Sequence, residues 1–347
     1  FIGSDDLRTV EEDYSTSIHQ FDISDGPARY LASGSVDGHL LNQFSMDEFD
    51  GVLRVATTDG PPWWFEDTSE SFVVNLERDG DRLVEVGKVG NLGRGERIFS
   101  VRFIGETGYV VTFRQTDPLY VIDLRDASNP AVAGELKILG YSAYLHPMGN
   151  GMLLGVGQDA DEDGRTLGAK VSLFDVSDPA NPIEADTWTI EDGYTDVEWD
   201  HRAFLYWAPL DMAVLPVQSW STDFVGAVVL NTEGGLTEAG RISHEAFSGE
   251  DPDCRPVDVP DEYMEEGMIV QVCAGDQVGG VEGYWCETMS GEELKFYDEE
   301  IPFDLEVGDD ERLEVCWPEY GPTAPPIQRS LVIGDTIWTL SSRNLQG

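Results

Sequence analysis

Asp159, Asp161 and Asp163 stand at alternate positions, and Gly164 follows them. Carboxylates spaced this way in a loop turn several oxygens toward one centre, and the glycine permits the sharp bend. This is how a DxDxDG calcium loop begins. The pattern is incomplete, because Lys170 takes the twelfth position and Leu167 the ninth. Gln158, Glu162 or a backbone carbonyl would have to complete a calcium shell; the alternative is a solvated acidic hairpin. A second group is Pro61-Pro62-Trp63-Trp64-Phe65, where Trp63 and Trp64 could receive a sugar or a protein partner, or fold back on the core. The third is Cys254, Cys273, Cys286 and Cys316, which have no CxxC spacing and no nearby His, so zinc is disfavoured. Their even number in a loop-rich stretch reads as two disulfides and an oxidising compartment, with three pairings open. No GxSxG, Walker loop or HExxH is present, and no spacing selects a catalytic triad.

The elements that must position these residues recur along the chain. A β-rich run ending in Asp or Asn, a turn and another strand appear five times. The anchors are Asp22, Asn75, Asp123, Asp175 and Asn231, spaced 53, 48, 52 and 56 residues apart. Between anchors lies a second strand pair around tight-turn residues: Asp50-Gly51, Glu106-Thr107-Gly108 and Gly149-Asn150-Gly151. Four short strands per roughly 50 residues predict an all-β chain, a β-propeller of four-stranded blades. About five blades are visible. The half-repeat RSLVIGDTIWTL from Arg329 is expected to complete one blade with the N-terminal strands around Ile18 and Tyr30. Aligning the half-repeats puts Met46, Arg102, His146, His201 and Ser330 at one position, on or beside the innermost strand. Arg102, His146 and His201 thereby become candidates for metal or anion binding or acid–base chemistry. The competing reading is a hydrogen-bonded set of polar residues that seals the axis.

The chain carries 67 Asp and Glu against 21 Lys and Arg, a net charge of −46. With 41% hydrophobic residues and nine Trp, it has enough apolar material for a large core, so the charge belongs to the surface. Binding to nucleic acid or anionic lipid is excluded, and no apolar run is long enough to span a membrane. Only four of the basic residues are Lys, a balance that fits a halophilic protein or an acidic secreted one. Residues 245–320 break the repeat and hold all four cysteines, with 24 acidic against three basic residues. The expected organisation is propeller over 1–244, an acidic disulfide-containing insertion over 245–320, and a return to the propeller over 321–347.

The strings LLNQFSMDEFDGVLRVATT, RIFSVRFIGETGYVVTFRQTDPLYVIDLRDASNPAVAGELKILGYSAYLHPMGNGMLLGVGQDADEDGR and SLFDVSDPANP resemble a family of secreted bacterial and archaeal β-propeller proteins distantly related to WD40 repeats. The resemblance covers about Tyr30 to Val217 and resumes at Arg329. It implies the fold and a secreted or lipid-anchored location, and it implies no reaction. Members of that family carry further blades upstream. The resemblance therefore favours a piece of a seven- or eight-bladed ring over a five-bladed ring closed on itself. The acidic insertion is not part of the family pattern.

Together these readings predict a non-catalytic extracellular or cell-surface binding or scaffold propeller, stabilised by calcium, whose partner is a protein or a glycan. One alternative is a hydrolase or lyase working through Arg102, His146 and His201. The other is a structural surface component that self-assembles through the acidic insertion.

Overall fold

The computed structural model describes residues 14–24, 26–60, 69–114, 117–244, 324–342 and 345–347, together with the backbone of six strands between 253 and 317. Two compact units result: Phe1–Glu245 with Ala324–Gly347, and Ala246–Thr323.

The first unit holds β1 (Ser15–Asp22), β2 (Arg29–Asp37), β3 (Met46–Phe49), β4 (Val52–Thr58), β5 (Ser71–Asp79), β6 (Arg82–Leu92), β7 (Arg97–Ile104), β8 (Thr107–Phe113), β9 (Asp117–Asp123) and β10 (Ala131–Ile138). It continues with β11 (Tyr141–Gly149), β12 (Met152–Ala160), β13 (Thr166–Asp175), β14 (Ile183–Glu191), β15 (Gly193–Tyr194), β16 (Leu205–Trp207), β17 (Met212–Ser219), β18 (Phe224–Asn231) and β19 (Thr237–Ile242). Four antiparallel repeats follow in chain order: β3 to β6, β7 to β10, β11 to β14, and β15/β16 to β19. No α-helix occurs among the described residues, and no helix there is long and apolar enough to cross a membrane.

Burial explains the strand composition. The second strand of each repeat, such as β8 or β12, is a nearly continuous apolar run buried on both faces, because a neighbouring sheet covers each side. The fourth strand alternates, as in the exposed–intermediate pattern of β14. Between the first two repeats Ala56, Val73 and Leu92 pack on Val101, Val110 and Ile122. Between the third and fourth, Leu154 and Val171 pack on Leu215 and Val228.

The repeat anchors have a common physical role. Asp22 Oδ1 accepts from Ser24 N at 3.0 Å, Asp175 Oδ1 from Ser177 N at 3.0 Å, Asp123 Oδ1 from Arg125 N at 3.0 Å and Asn231 Oδ1 from Glu233 N at 2.8 Å. Each side chain imitates a backbone turn and ends its strand. Asn75 differs. It lies inside β5 and donates from Nδ2 to Ala127 O at 2.9 Å, in the next repeat. Beside it, a Cβ on Gly87 would collide with Ala127 O, and one on Gly134 would collide with Pro179 O in the repeat after. Successive sheets are thus keyed by a loop carbonyl seated against a glycine of the preceding fourth strand.

Two expected turns are formed, at Asp50-Gly51 (φ 51° and 84°) and Asn150-Gly151 (φ 52° and 75°). Both residues of a two-residue I′ hairpin loop need positive φ, which Asp/Asn-Gly supplies. The third turn is displaced from the expected residues. Ile104 pairs with Thr107, so Gly105-Glu106 make the bend while Thr107 and Gly108 enter β8; Gly105 takes the positive φ of 55°.

Among the described residues the shared closing blade expected from the chain ends does not form. The strands β26 (Ile327–Ile333), β27 (Thr336–Ser341) and β28 (Leu345–Gln346) make a sheet of their own. The β1–β2 hairpin instead joins the outer edge of the first repeat through a parallel bridge, Ser33 to Arg82. Gly34 permits this approach, since any Cβ there would meet Leu83, and Ile18, Ala32 and Val36 bury with Leu83 and Val74.

In the second unit, β20 (Asp253–Pro256) pairs with β25 (Glu314–Trp317), β21 (Gln271–Val278) with β22 (Val281–Thr288), and β23 (Leu294–Phe296) with β24 (Glu299–Ile301). All three pairs are antiparallel. The side chains of these strands, including those of the four cysteines, lie outside the described residues.

Candidate functional site

The innermost strands bring Arg102, His146 and His201 together. Arg102 leaves β7, His146 leaves β11, and His201 opens a 3-10 turn, His201–Ala203, between β15 and β16. Rings from other positions fill the space between them. The Arg102 guanidinium sits 3.8 Å from the Phe44 ring centre and 5.3 Å from that of Tyr144, an attraction of cation for ring face. Its Nε and one terminal nitrogen donate to Leu145 O at 2.9 and 2.7 Å. His201 stacks on Tyr144 at 6.0 Å and meets Phe44 edge-on at 4.8 Å. His146 lies 5.1 Å from Phe204 and 5.2 Å from Tyr206, with Nδ1 3.1 Å from the Tyr144 hydroxyl.

The electrostatics follow from this packing. Burial, then the Arg102 charge, pushes His146 down to about 4, so its ring is neutral at pH 7. Burial also lowers His201, against the pull of Asp200. Asp200 is held at about 2, chiefly by its hydrogen bond from Arg202, and it also takes Arg329 at 2.5 Å. It is therefore occupied by two guanidinium groups instead of orienting His201. Glu198 is pushed up by burial and receives Tyr141 at 2.8 Å and Gln158 at 2.5 Å. No serine, threonine or cysteine is hydrogen-bonded to His146 or His201 among the described residues. The arrangement is a stack of rings around the Arg102 guanidinium, with the polar atoms of Arg102, His146 and His201 engaged by Leu145 O, the Tyr144 hydroxyl and Gln43. Met46 opens β3 and Ser330 lies in β26, so the aligned position does fall on or beside first strands.

The acidic loop between β12 and β13 is occupied differently from a cation cage. Asp161 Oδ1 accepts from the backbone N of Asp163 at 3.0 Å and of Arg165 at 2.9 Å. The Arg165 side chain bridges Asp161 at 3.4 Å and Asp163 at 2.8 Å. Asp159 lies 3.8 Å from Lys170, whose buried ammonium also pairs with Glu184 at 3.1 Å. Among the described residues no group of three or more His, Cys, Asp or Glu is placed to hold a metal ion. Trp63 and Trp64 lie outside the described residues.

Two surface features were not singled out from sequence. One is a cleft of about 390 Å³ lined by Met148, Asn150, Asp186, Tyr206, Asp211 and Glu233. Asp186 is engaged there by Leu236 N at 2.6 Å, and Asp211 by the Tyr206 hydroxyl at 3.2 Å. The other is a group of rings. Tyr194 of β15 lies 6.0 Å from Trp199 and 6.4 Å from Trp220, and the two indoles are 73% and 65% exposed. The backbone at Trp220 is held by its amide N–H, which donates to Asp192 O at 3.1 Å, where Asp192 takes a positive φ of 46°. Asp196, its pKa raised by burial, opens the 3-10 turn that delivers Trp199. The available signal was composition: aromatic residues set among Asp, Gly and Ser at strand ends, where packing does not require them.

Comparison with known proteins adds a family and no reaction. The model of the β-propeller domain family matches residues 3–265. An uncharacterized protein of Methanocaldococcus jannaschii is 48% identical over 176 residues, which is 51% of this chain and 27% of that protein. An uncharacterized protein of Archaeoglobus fulgidus is 44% identical over 171 residues, 49% of this chain and 25% of the relative. The matched stretch is thus about a quarter of either relative's length.

Proposed function

Since this chain belongs to the β-propeller domain family, a fold class that carries many unrelated activities, we propose its role from its own surfaces: it is a non-catalytic binding propeller at the cell surface that receives a glycan on Tyr194, Trp199 and Trp220. The observation that carries this reading is the exposure of Trp199 and Trp220 beside Tyr194. An indole presents roughly 150–250 Å² that folding would gain by burying. Rings held at the surface by turns offer apolar faces to the C–H face of a sugar. Asp192 and Asp196 stand in the same segment as acceptors for its hydroxyls.

A glycan fits better than a protein partner. Three side chains fall well short of the roughly 800 Å² per partner that a stable protein interface covers. The surrounding carboxylates favour neutral or amino sugars over polyanions. Hydrolysis or elimination through Arg102, His146 and His201 is disfavoured, because their polar atoms are engaged by Leu145 O, the Tyr144 hydroxyl and Gln43 and no nucleophile meets them among the described residues. Extracellular placement is supported by the even, clustered cysteine count, read as two disulfides. A calcium role for Asp159, Asp161 and Asp163 belongs to the same reading, and it requires Arg165 to leave the carboxylates it now bridges.

The test is a titration of the protein with neutral, amino and uronic oligosaccharides, followed by tryptophan fluorescence and calorimetry. Saturable binding to one class is expected, weakened at least about tenfold in Trp199→Ala and Trp220→Ala with unchanged melting temperature. Binding that survives both substitutions refutes the assignment of the rings. Turnover of ester, phosphate or glycoside substrates that disappears in His201→Ala would replace binding with catalysis.

A further inference from the structure

We infer that the second unit is cross-linked by two cross-strand disulfides, Cys254–Cys316 and Cys273–Cys286, which resolves the three pairings open to four cysteines. The inference rests on the extracellular reading above in one respect, the need for an oxidising compartment. Its geometry comes from the backbone alone. In the β20–β25 pair the register runs Asp253 to Trp317, Cys254 to Cys316 and Arg255 to Val315. In the β21–β22 pair it runs Val272 to Glu287, Cys273 to Cys286 and Ala274 to Trp285. Each strand pair thus holds two cysteines, and in both pairs they are directly opposite.

Direct opposition in an antiparallel ladder fixes the backbone separation. Opposite Cα atoms lie about 4.5 Å apart in a non-hydrogen-bonded pair and about 5.5 Å apart in a hydrogen-bonded one. Both values fall within the roughly 4.4–6.8 Å that a disulfide spans. Opposite positions also share a face of the ladder. A slip of one residue in either register would put the two cysteines on opposite faces. Two independent strand pairs meeting the condition together is not expected from unpaired cysteines. The other two connectivities each join a residue of β20 or β25 to one of β21 or β22, and among the described residues no ladder pairs those strands.

Composition supplies the reason for such staples. Residues 245–320 carry 24 acidic against three basic side chains, so like charges oppose compaction, and a unit of this size has a small core to resist them. Each bond forms by thiol–disulfide exchange with an oxidised dithiol carrier. A cysteine thiolate attacks the carrier disulfide and releases one carrier thiol. The facing thiolate then attacks the mixed disulfide and releases the second. Two cysteine thiols are oxidised, and one carrier disulfide is reduced to two thiols.

The experiment uses the full chain secreted into an oxidising compartment. It is alkylated without reduction and cleaved at acidic residues, which include Asp276 and Glu282 between Cys273 and Cys286. Mass spectrometry should find peptides joined as Cys254–Cys316 and Cys273–Cys286 and no alkylated cysteine. In Cys254→Ser, the label should appear on Cys316 alone; label on Cys273 or Cys286 would overturn the pairing. Any crossed linkage in the native chain overturns the pairing while leaving the extracellular reading intact. Four labelled cysteines would remove both.

Discussion

Replacing His146 by Gln should remove a defined part of the protein's acid sensitivity. In the folded chain His146 titrates at about 4 against an ordinary 6.5. Above pH 6.5 the ring is neutral folded or unfolded, and its contribution is constant. Between pH 6.5 and 4 only the unfolded chain takes the proton, so stability falls as pH falls. Below 4 both states are protonated and the loss is complete. At about 1.4 kcal/mol per pH unit the full interval amounts to about 3.4 kcal/mol. Partial solvent access to the ring screens this to about 2 kcal/mol. Gln is chosen because its amide oxygen can still accept from the Tyr144 hydroxyl, which keeps the local hydrogen bond.

Other groups titrate over the same range with the opposite sign. Glu96, Asp196 and Glu198 have pKa values raised by burial, so protonating them favours the folded chain as pH falls. They are common to both proteins and cancel in the difference. The charged neighbour facing His146 is Arg102, which stays protonated throughout. Urea unfolding followed by tryptophan fluorescence at fixed ionic strength, from pH 7.5 to 4, gives the stability of each protein. The gap between wild type and His146→Gln should shrink by about 2 kcal/mol over that range, with most of the change below pH 6.5. A gap that is constant with pH, or that widens toward acid, refutes the assignment of a neutral buried imidazole.

Gly134→Ala should destabilise by about 1–3 kcal/mol, because its Cβ meets Pro179 O of the next sheet; the same change at Gly240, where nothing lies within 4 Å, is the control, and equal losses at both would defeat the keying argument. The melting temperature should rise between 0.01 and 1 M monovalent salt, since the Debye length falls from about 30 to about 3 Å around a chain of net charge −46; a flat response contradicts a surface dominated by self-repulsion. If calcium enters the β12–β13 loop, Arg165→Ala should tighten it and Asp161→Ala abolish it, with a gain of about 2.7 kcal/mol at 100 times the dissociation constant in wild type. Equal calcium gains in wild type and Asp161→Ala would place the ion elsewhere.

The fold was legible where a local rule repeats. The anchors Asp22, Asp123, Asp175 and Asn231 end strands by accepting from the residue two positions on, and that chemistry depends on a handful of neighbouring residues. Tight turns at Asp50-Gly51 and Asn150-Gly151 were legible for the same reason. Which sheet edge receives the N-terminal hairpin was not legible. That choice depends on Gly34 admitting Leu83 and on the apolar patch around Ile18 and Val36, facts of tertiary fit that no periodicity carries. The convergence of Arg102, His146 and His201 was legible because equal phase in a repeat means an equal place on the first strand. Their ring partners Phe44, Tyr144 and Phe204 come from other phases, so the interlocked packing of the cluster and the neutrality of His146 emerged only in three dimensions.

The fourth repeat shows why the exposed rings escaped notice and why they matter. Its first strand is not one continuous arm. It is split instead into the two-residue β15 and the three-residue β16, with 3-10 turns Asp196–Glu198 and His201–Ala203 between them. Thr195 caps the first turn and Asp200 the second, each side chain accepting from the backbone N two residues on. The interruption has two consequences from one cause. It carries His201 inward onto Tyr144 and Phe44, and it turns Trp199 outward beside Tyr194. Fold stability alone would have kept a continuous strand like β7 or β11 and buried the indole. A departure from the local rule that leaves large apolar area in water needs a compensating gain outside folding, and a ligand that covers the rings supplies one.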